Sequence, residues 1–214
     1  MRRLLLARVW FAANAVVVVV GLVLQLHATA SLSHGFFDTD RGRVLSVFAY
    51  FTIQSNIIVL LTSAVLATRL GRRPTWFWVL RLDGVLCITV TFVVFHVALS
   101  GLQDLHGSAK AADFLLHTVS PVLCVLGWLL FGPRRHTSWE IVQGAVVFPV
   151  LWLVFALTLQ HVTDGFAMYP FLDVGDHGWP RVLLNAAVVA VLFLGLAAAA
   201  HLLDRRLPGR RVRV

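Results

Sequence analysis

Long apolar runs separated by short polar connections rich in Arg set the pattern of this chain. A helix rising ~1.5 Å per residue needs about 20 apolar residues to cross a bilayer core about 30 Å thick. Six runs reach that length, over residues 4–28, 44–67, 76–99, 114–131, 141–161 and 182–203, the fourth being the shortest. Helices are expected because a backbone facing lipid must satisfy its own hydrogen bonds, and no series of ~10-residue alternating segments suggests a barrel. The expected fold is an all-α integral membrane protein, a single six-transmembrane-helix bundle over residues 1–214.

Composition agrees with the pattern. Of 214 residues, 59% are hydrophobic and 13% charged, where soluble domains carry about a quarter charged residues. The mean hydropathy is +0.84. A soluble protein this apolar could not cover its own surface. The net charge of +8 alone would suggest a nucleic-acid partner. The cations instead sit in clusters between apolar runs, with no basic helix face to enter a groove, which excludes that class.

Locating the charges orients the bundle. Six crossings divide the 18 cations into two sets. Arg2, Arg3, Arg8, Arg69, Arg72, Arg73, Arg81, Arg134, Arg135, Arg205, Arg206, Arg210, Arg211 and Arg213 fall at one end. Arg41, Arg43, Lys110 and Arg181 fall at the other, with Asp38, Asp40, Asp104, Asp113, Asp164, Asp173 and Asp176. The positive-inside bias puts the first end, with both termini, in the cytoplasm of a multi-pass cell-membrane protein. Trp10, Trp76, Trp78, Trp128, Trp139 and Trp179 lie near run ends, as an aromatic belt requires. A rival reading of the first run is a secretory signal ending at Ala28-Thr29-Ala30; its ~20 apolar residues exceed the ~7–15 of a signal core, favouring a retained helix. Cys87 and Cys124 fall inside runs and are expected as buried thiols.

Polar residues within the runs carry the candidate chemistry, because intramembrane polar groups are costly and usually face a bundle interior or a wet cavity. Thr52, Ser55 and Asn56 share one face of the second run. A Thr in such a helix ordinarily bonds its own i−4 carbonyl, and three polar residues on one face exceed that need. Histidines gather at the less basic end: His27, His34, His96, His106, His117, His161 and His177. No spacing puts two of them on one helix face, so no metal or cofactor is assigned; a haem or metal protein built on them stays an alternative. Asp113 lies four residues before His117, placed either to orient its imidazole or to cap the fourth helix. Pro121 lacks the N–H that would bond the His117 carbonyl, so a kink is expected there. The last connection, residues 162–180, is long enough to fold over the bundle.

Phe51-Thr52 in the second run, Leu116-His117-Thr118-Val119-Ser120-Pro121 opening the fourth and Tyr169-Pro170-Phe171-Leu172-Asp173 in the last connection resemble one family. It is the androgen-induced-gene family of six-pass membrane proteins. Residues 50–56 and Trp128-Leu129-Leu130-Phe131 resemble its bacterial branch, although Gly127 stands where that branch often has an acidic residue. The resemblance implies a Thr/His-dependent hydrolase of fatty-acid esters, with Thr52 as nucleophile and His117 as the essential His. That chemistry is coherent, since a Thr hydroxyl attacks poorly without a base. Ser55, Asn56 or Tyr169 would supply donors to the oxyanion, with Asp113 and His96 in support. Membrane lipids are then the partners and a lipid ester the substrate. A transporter or lipid-binding protein without turnover would line a cavity with the same groups and stands as the other reading.

Overall fold

The computed structural model describes residues 2–68 and 73–207. Arg69, Arg72, Arg210, Arg211 and Arg213 of the orientation argument lie outside them. Among the described residues the regular structure is all helical: α1 (Arg2–Ala30), a short α2 (Asp40–Ser46), α3 (Phe51–Thr68), α4 (Thr75–Val94), α5 (Gly107–Phe114), α6 (Ser120–Phe131), α7 (Trp139–Val162) and α8 (Val174–Arg206). A π-helical turn over Phe95–Leu99 extends α4, and another over Leu115–Val119 joins α5 to α6. Among the described residues six segments are long and apolar enough to span a membrane: Arg2–Ala30, Phe51–Thr68, Thr75–Leu99, Gly107–Phe131, Trp139–Val162 and Val174–Arg206. The protein is a polytopic membrane protein with an all-α six-helix bundle.

α4 is the axis of the bundle. It packs against α3, α6, α7 and α8, while α1 closes one flank against α3, α5 and α6. Half of the most apolar stretch of α4 is buried, against 17% for α8, whose outward face is left to the surroundings. Around α4 the main core collects Phe11, Val18, Val59, Leu86, Ile88 and Phe193. A second core at the histidine-rich end collects Ala49, Trp152, Phe166, Met168, Tyr169 and Val182, so the last connection does fold into the bundle.

Element boundaries differ from the periodicity in three places. The second run is broken: α2 and a 3₁₀ turn over Val47–Ala49 precede Tyr50, which is extended (φ −67°, ψ 135°), and α3 starts at Phe51. The indole N–H of Trp152 donates to the Ala49 carbonyl (2.9 Å), while the Ile53 N–H turns to Tyr50 instead (3.1 Å). The fourth span is longer than expected, because the amphipathic stretch from Gly107 runs in line with the apolar one. The last helix starts at Val174, where the Asp173 carboxylate accepts from the Gly175 and Asp176 N–H groups. It is interrupted at Gly178, whose φ of 69° suits a residue without Cβ.

At the Arg-rich end several residues expected at the interface are inside. Arg81 is only 3% exposed; it donates to the Cys124 sulfur (3.6 Å) and lies over the Phe11 ring. Trp78 and Trp128 are buried rather than belted, because the 132–138 connection tucks against them. His136 stacks on Trp78 at 3.7 Å and the Arg134 guanidinium sits 4.6 Å over Trp128. Trp10 also turns inward, donating to the Leu123 carbonyl at 2.9 Å. Trp76, Trp139 and Trp179 remain exposed at run ends. Cys87 and Cys124 are free, buried thiols.

One carboxylate fastens that connection. Asp204 of α8 accepts from the His136 N–H (2.9 Å), the Thr137 N–H (3.1 Å) and the Thr137 hydroxyl (2.8 Å), and His201 contacts the Thr137 carbonyl (2.7 Å). Stranding buried donors costs about 1–3 kcal/mol each before water enters. Asp204→Ala is therefore expected to lower stability by about 3 kcal/mol, read as a fall in the thermal midpoint in detergent. Burial also pushes the His136 imidazole below its ordinary range, with the Asp204 charge opposing in part. The folded state thus prefers neutral His136. Its contribution is complete above the ordinary His range and is lost as pH falls through that range toward the lower folded value. The midpoint should fall between about pH 7 and about pH 5, and less so in His136→Phe.

Candidate functional site

A cavity of ≈ 200 Å³ lies between α3, α4, α7, α8 and the last connection. Its wall is almost wholly hydrocarbon and aromatic, including Phe51, Pro149, Trp152 and Phe193; Thr52, Thr91 and Tyr169 are the hydroxyl-bearing residues that line it. α7 and α8 both pack on α4 and hardly on one another. The cavity is partly open there, beside Val150 and Leu194, which line it and are also exposed on the outside of the bundle. Its opening is thus sideways, onto the apolar exterior.

Thr52 stands at the polar end of this cavity because of the break at Tyr50. A position eight residues into the second run becomes the second residue of α3. N–H groups in a first helical turn lack an intrahelical acceptor. The Thr52 N–H donates instead to the Tyr169 phenol oxygen (3.2 Å), which also lies 3.3 Å from Thr52 Oγ1. Tyr169 is itself held among Tyr50, Trp152 and Phe171, with ring centroids 5.5–5.8 Å away. Burial pushes the phenol up to about 12, the bonds to Thr52 opposing, so it keeps its proton and remains a donor at neutral pH.

His117 sits in the π-helical turn, where a kink was expected from Pro121. The Ser120 N–H bonds the Leu115 carbonyl and Pro121 has no N–H to give. The Leu116 carbonyl, five residues before Pro121, takes its partner from another helix. Asn56 supplies it: its side-chain amide donates to Leu116 O (3.2 Å) and to Thr52 O (2.9 Å). Asp113 lies within the helical turn before His117 and does not cap the helix. His117 Nδ1 is 3.0 Å from the Asp113 carboxylate and 3.1 Å from the Asp113 carbonyl. Both are acceptors, so Nδ1 carries the ring proton. The ring stacks on Phe95 at 4.1 Å.

The sequence-derived residues therefore form two groups. Thr52, Asn56 and Tyr169 are joined by hydrogen bonds, and so are His117 and Asp113. Asn56 links the groups through the residue before His117. Among the described residues no hydrogen bond joins Thr52 to His117, and His117 does not line the cavity. Ser55 is fully buried beside Asn56, its hydroxyl without a partner among the described residues. His96 stands apart, its Nδ1 2.8 Å from the Phe92 carbonyl and its Nε2 3.3 Å from Thr118 Oγ1. His27 and His161 are exposed, and among the described residues no three His, Cys, Asp or Glu side chains converge as metal ligands.

Sequence reasoning missed Thr91, Thr118 and the buried pairs inside the bundle. Asn14 donates to Ser63 Oγ (3.5 Å) and the Cys87 thiol to Asp83 (3.6 Å). Asp83 inside an apolar run was a visible signal. Gly127, where the family resemblance would place an acid, has no room for a side chain: a Cβ there would come within 2.8 Å of the Trp10 indole nitrogen.

Replacing Asn56 by Ala strands the Leu116 carbonyl inside the bundle. A loss of about 2 kcal/mol is expected, measured as a lower thermal midpoint in detergent, with Asn56→Gln keeping less than the parent stability because its amide is displaced by one methylene. No protein-family model, curated protein or solved structure matches this chain.

Proposed function

We propose that this membrane protein is a hydrolase of lipid esters that works from the cavity between α7 and α8. The observation that carries the reading is the placement of the Thr52 hydroxyl, with the Tyr169 phenol, at the polar end of an otherwise apolar cavity open sideways. Such a shape admits an alkyl chain from the membrane and brings an ester at its end to the hydroxyls. In this reading Thr52 Oγ1 attacks the ester carbonyl and Tyr169 donates to the developing oxyanion. His117, with its proton held on Nδ1 by Asp113, offers Nε2 as the base. Reaching Thr52 requires a side-chain or helix movement on substrate binding, because the two make no contact in this state. The resemblance to the androgen-induced family supports the same pair of residues. The positive-inside bias supports placement in the cell membrane with the Arg-rich end and both termini cytoplasmic and the cavity toward the outer leaflet.

A second reading is a lipid-binding or transport protein without turnover. It is favoured by the Thr52 hydroxyl meeting a phenol and, among the described residues, no imidazole.

Turnover of long-chain fatty-acid esters by the purified protein decides between them. Under the hydrolase reading, Thr52→Ala and His117→Ala each lower the rate by about 100-fold or more, and Tyr169→Phe by a comparable factor. Ester cleavage by both Ala variants at the parent rate would refute the assignment. Saturable binding of a fluorescent fatty acid, lost on filling the cavity with Ala190→Trp and accompanied by no cleavage, is the outcome that selects the second reading.

A further inference from the structure

We infer that Thr118 and His96 form a separate hydroxyl–imidazole pair, an acyl-accepting site for carboxylic esters at the histidine-rich surface of the bundle. This goes beyond the cavity reading and does not rest on it. His96 Nε2 lies 3.3 Å from Thr118 Oγ1, and His96 Nδ1 lies 2.8 Å from the Phe92 carbonyl. A carbonyl only accepts, so Nδ1 carries the proton and the neutral ring presents a bare Nε2 to the hydroxyl. That is the nucleophile–base–orienter order that activates a hydroxyl, with a backbone carbonyl as the orienting group.

Two further features set this pair apart from an ordinary interhelical tie. Both members sit in π-helical turns, His96 in Phe95–Leu99 and Thr118 in Leu115–Val119, where an extra residue per turn re-aims side chains. The pair is also reachable: His96 is exposed and Thr118 only half-buried, and Val97 next to His96 and Phe114 four residues before Thr118 are exposed apolar side chains. An amphipathic ester lying along the bundle would meet the hydroxyl with its chain against those residues. Neither His96 nor Thr118 lines the cavity. Val90, Thr91 and Val94 line the cavity, while Phe95 and His96 contact His117 and Thr118.

The reaction balances without a co-reactant beyond water. Thr118 Oγ1 bonds to the ester carbonyl carbon as His96 Nε2 takes the hydroxyl proton. The carbon–oxygen bond to the leaving group breaks, and that proton leaves with it as an alcohol. A water molecule, deprotonated by the same nitrogen, then attacks the acyl-threonine. The carboxylic acid departs and Thr118 regains its proton.

The test uses the purified full-length chain in detergent, an alkyl fluorophosphonate and mass-spectrometric mapping of the adduct. Phosphonylation forms the Thr118 oxygen–phosphorus bond, expels fluoride and leaves the proton on His96. The expected result is an adduct on Thr118 that is absent from Thr118→Val, which has no hydroxyl to label, and that forms about 100-fold more slowly in His96→Gln. Thr118→Ser, which keeps the hydroxyl, should still be labelled at residue 118. Mapping by residue separates this inference from the Thr52 reading: an adduct on Thr52 with none on Thr118 overturns only the present one. Absence of any adduct at 118 in both the parent and a folded Thr118→Ser variant also overturns it. So does a Thr118→Val variant with a lower thermal midpoint while His96→Gln labels at the parent rate, which is the behaviour of a structural hydrogen bond.

Discussion

The hydrogen bond from the Trp152 indole to the Ala49 carbonyl fixes where α3 begins, and much of the histidine-rich end follows from it. In an apolar bundle a backbone group released by a helix break has no water to turn to, so another element must supply its partner. Trp152 of α7 takes the carbonyl freed before the break. Tyr169 takes the Thr52 N–H freed after it. Asn56 takes the Leu116 carbonyl left over where the π-helical turn meets Pro121. Each partner comes from a different segment, so the breaks also pin the segments to one another. The last connection is held down by its aromatic contacts and by Tyr169 rather than by regular structure.

This economy explains why candidate chemistry collects at one end. Breaking a helix is tolerable only where polar side chains stand ready, and those side chains bring hydroxyls and amides together in an apolar setting. Thr52, Tyr169 and Asn56 are structural partners of the backbone first. The same placement leaves the Thr52 and Tyr169 hydroxyls at the edge of a cavity otherwise lined by hydrocarbon. α4 contributes to both sides of this end, lining the cavity with Thr91 and carrying His96 to the α6 side.

The Arg-rich end is organised by buried charge. Arg134 is held over Trp128 and donates to the Leu129 carbonyl, and burial lowers its pKa, with Asp204 opposing and the nearby Arg81 adding to the shift. Asp204 meets the connection through three hydrogen bonds, which keeps a short basic segment folded against the bundle. Indoles that would otherwise sit at a membrane interface are drawn in as platforms for a guanidinium and an imidazole.

Six spans and the gathering of histidines at one end were legible in the sequence, because hydrophobic length and the need for internal hydrogen bonding depend on the chain alone, whereas the ends of the second, fourth and sixth spans were not. The proximity of Asp113 to His117 was legible too, since four residues along a helix return to the same face. The break at Tyr50 was not, because residues 44–67 form a continuous apolar run and the indole that diverts Ala49 is 103 positions away. Nor was the partnership of Thr52 with Tyr169, 117 positions apart, or of His96 with Thr118 on neighbouring helices. Periodicity places a residue on a helix face. Only packing decides which face it meets, and the orphaned backbone groups that select those partners exist only once the helices have come together.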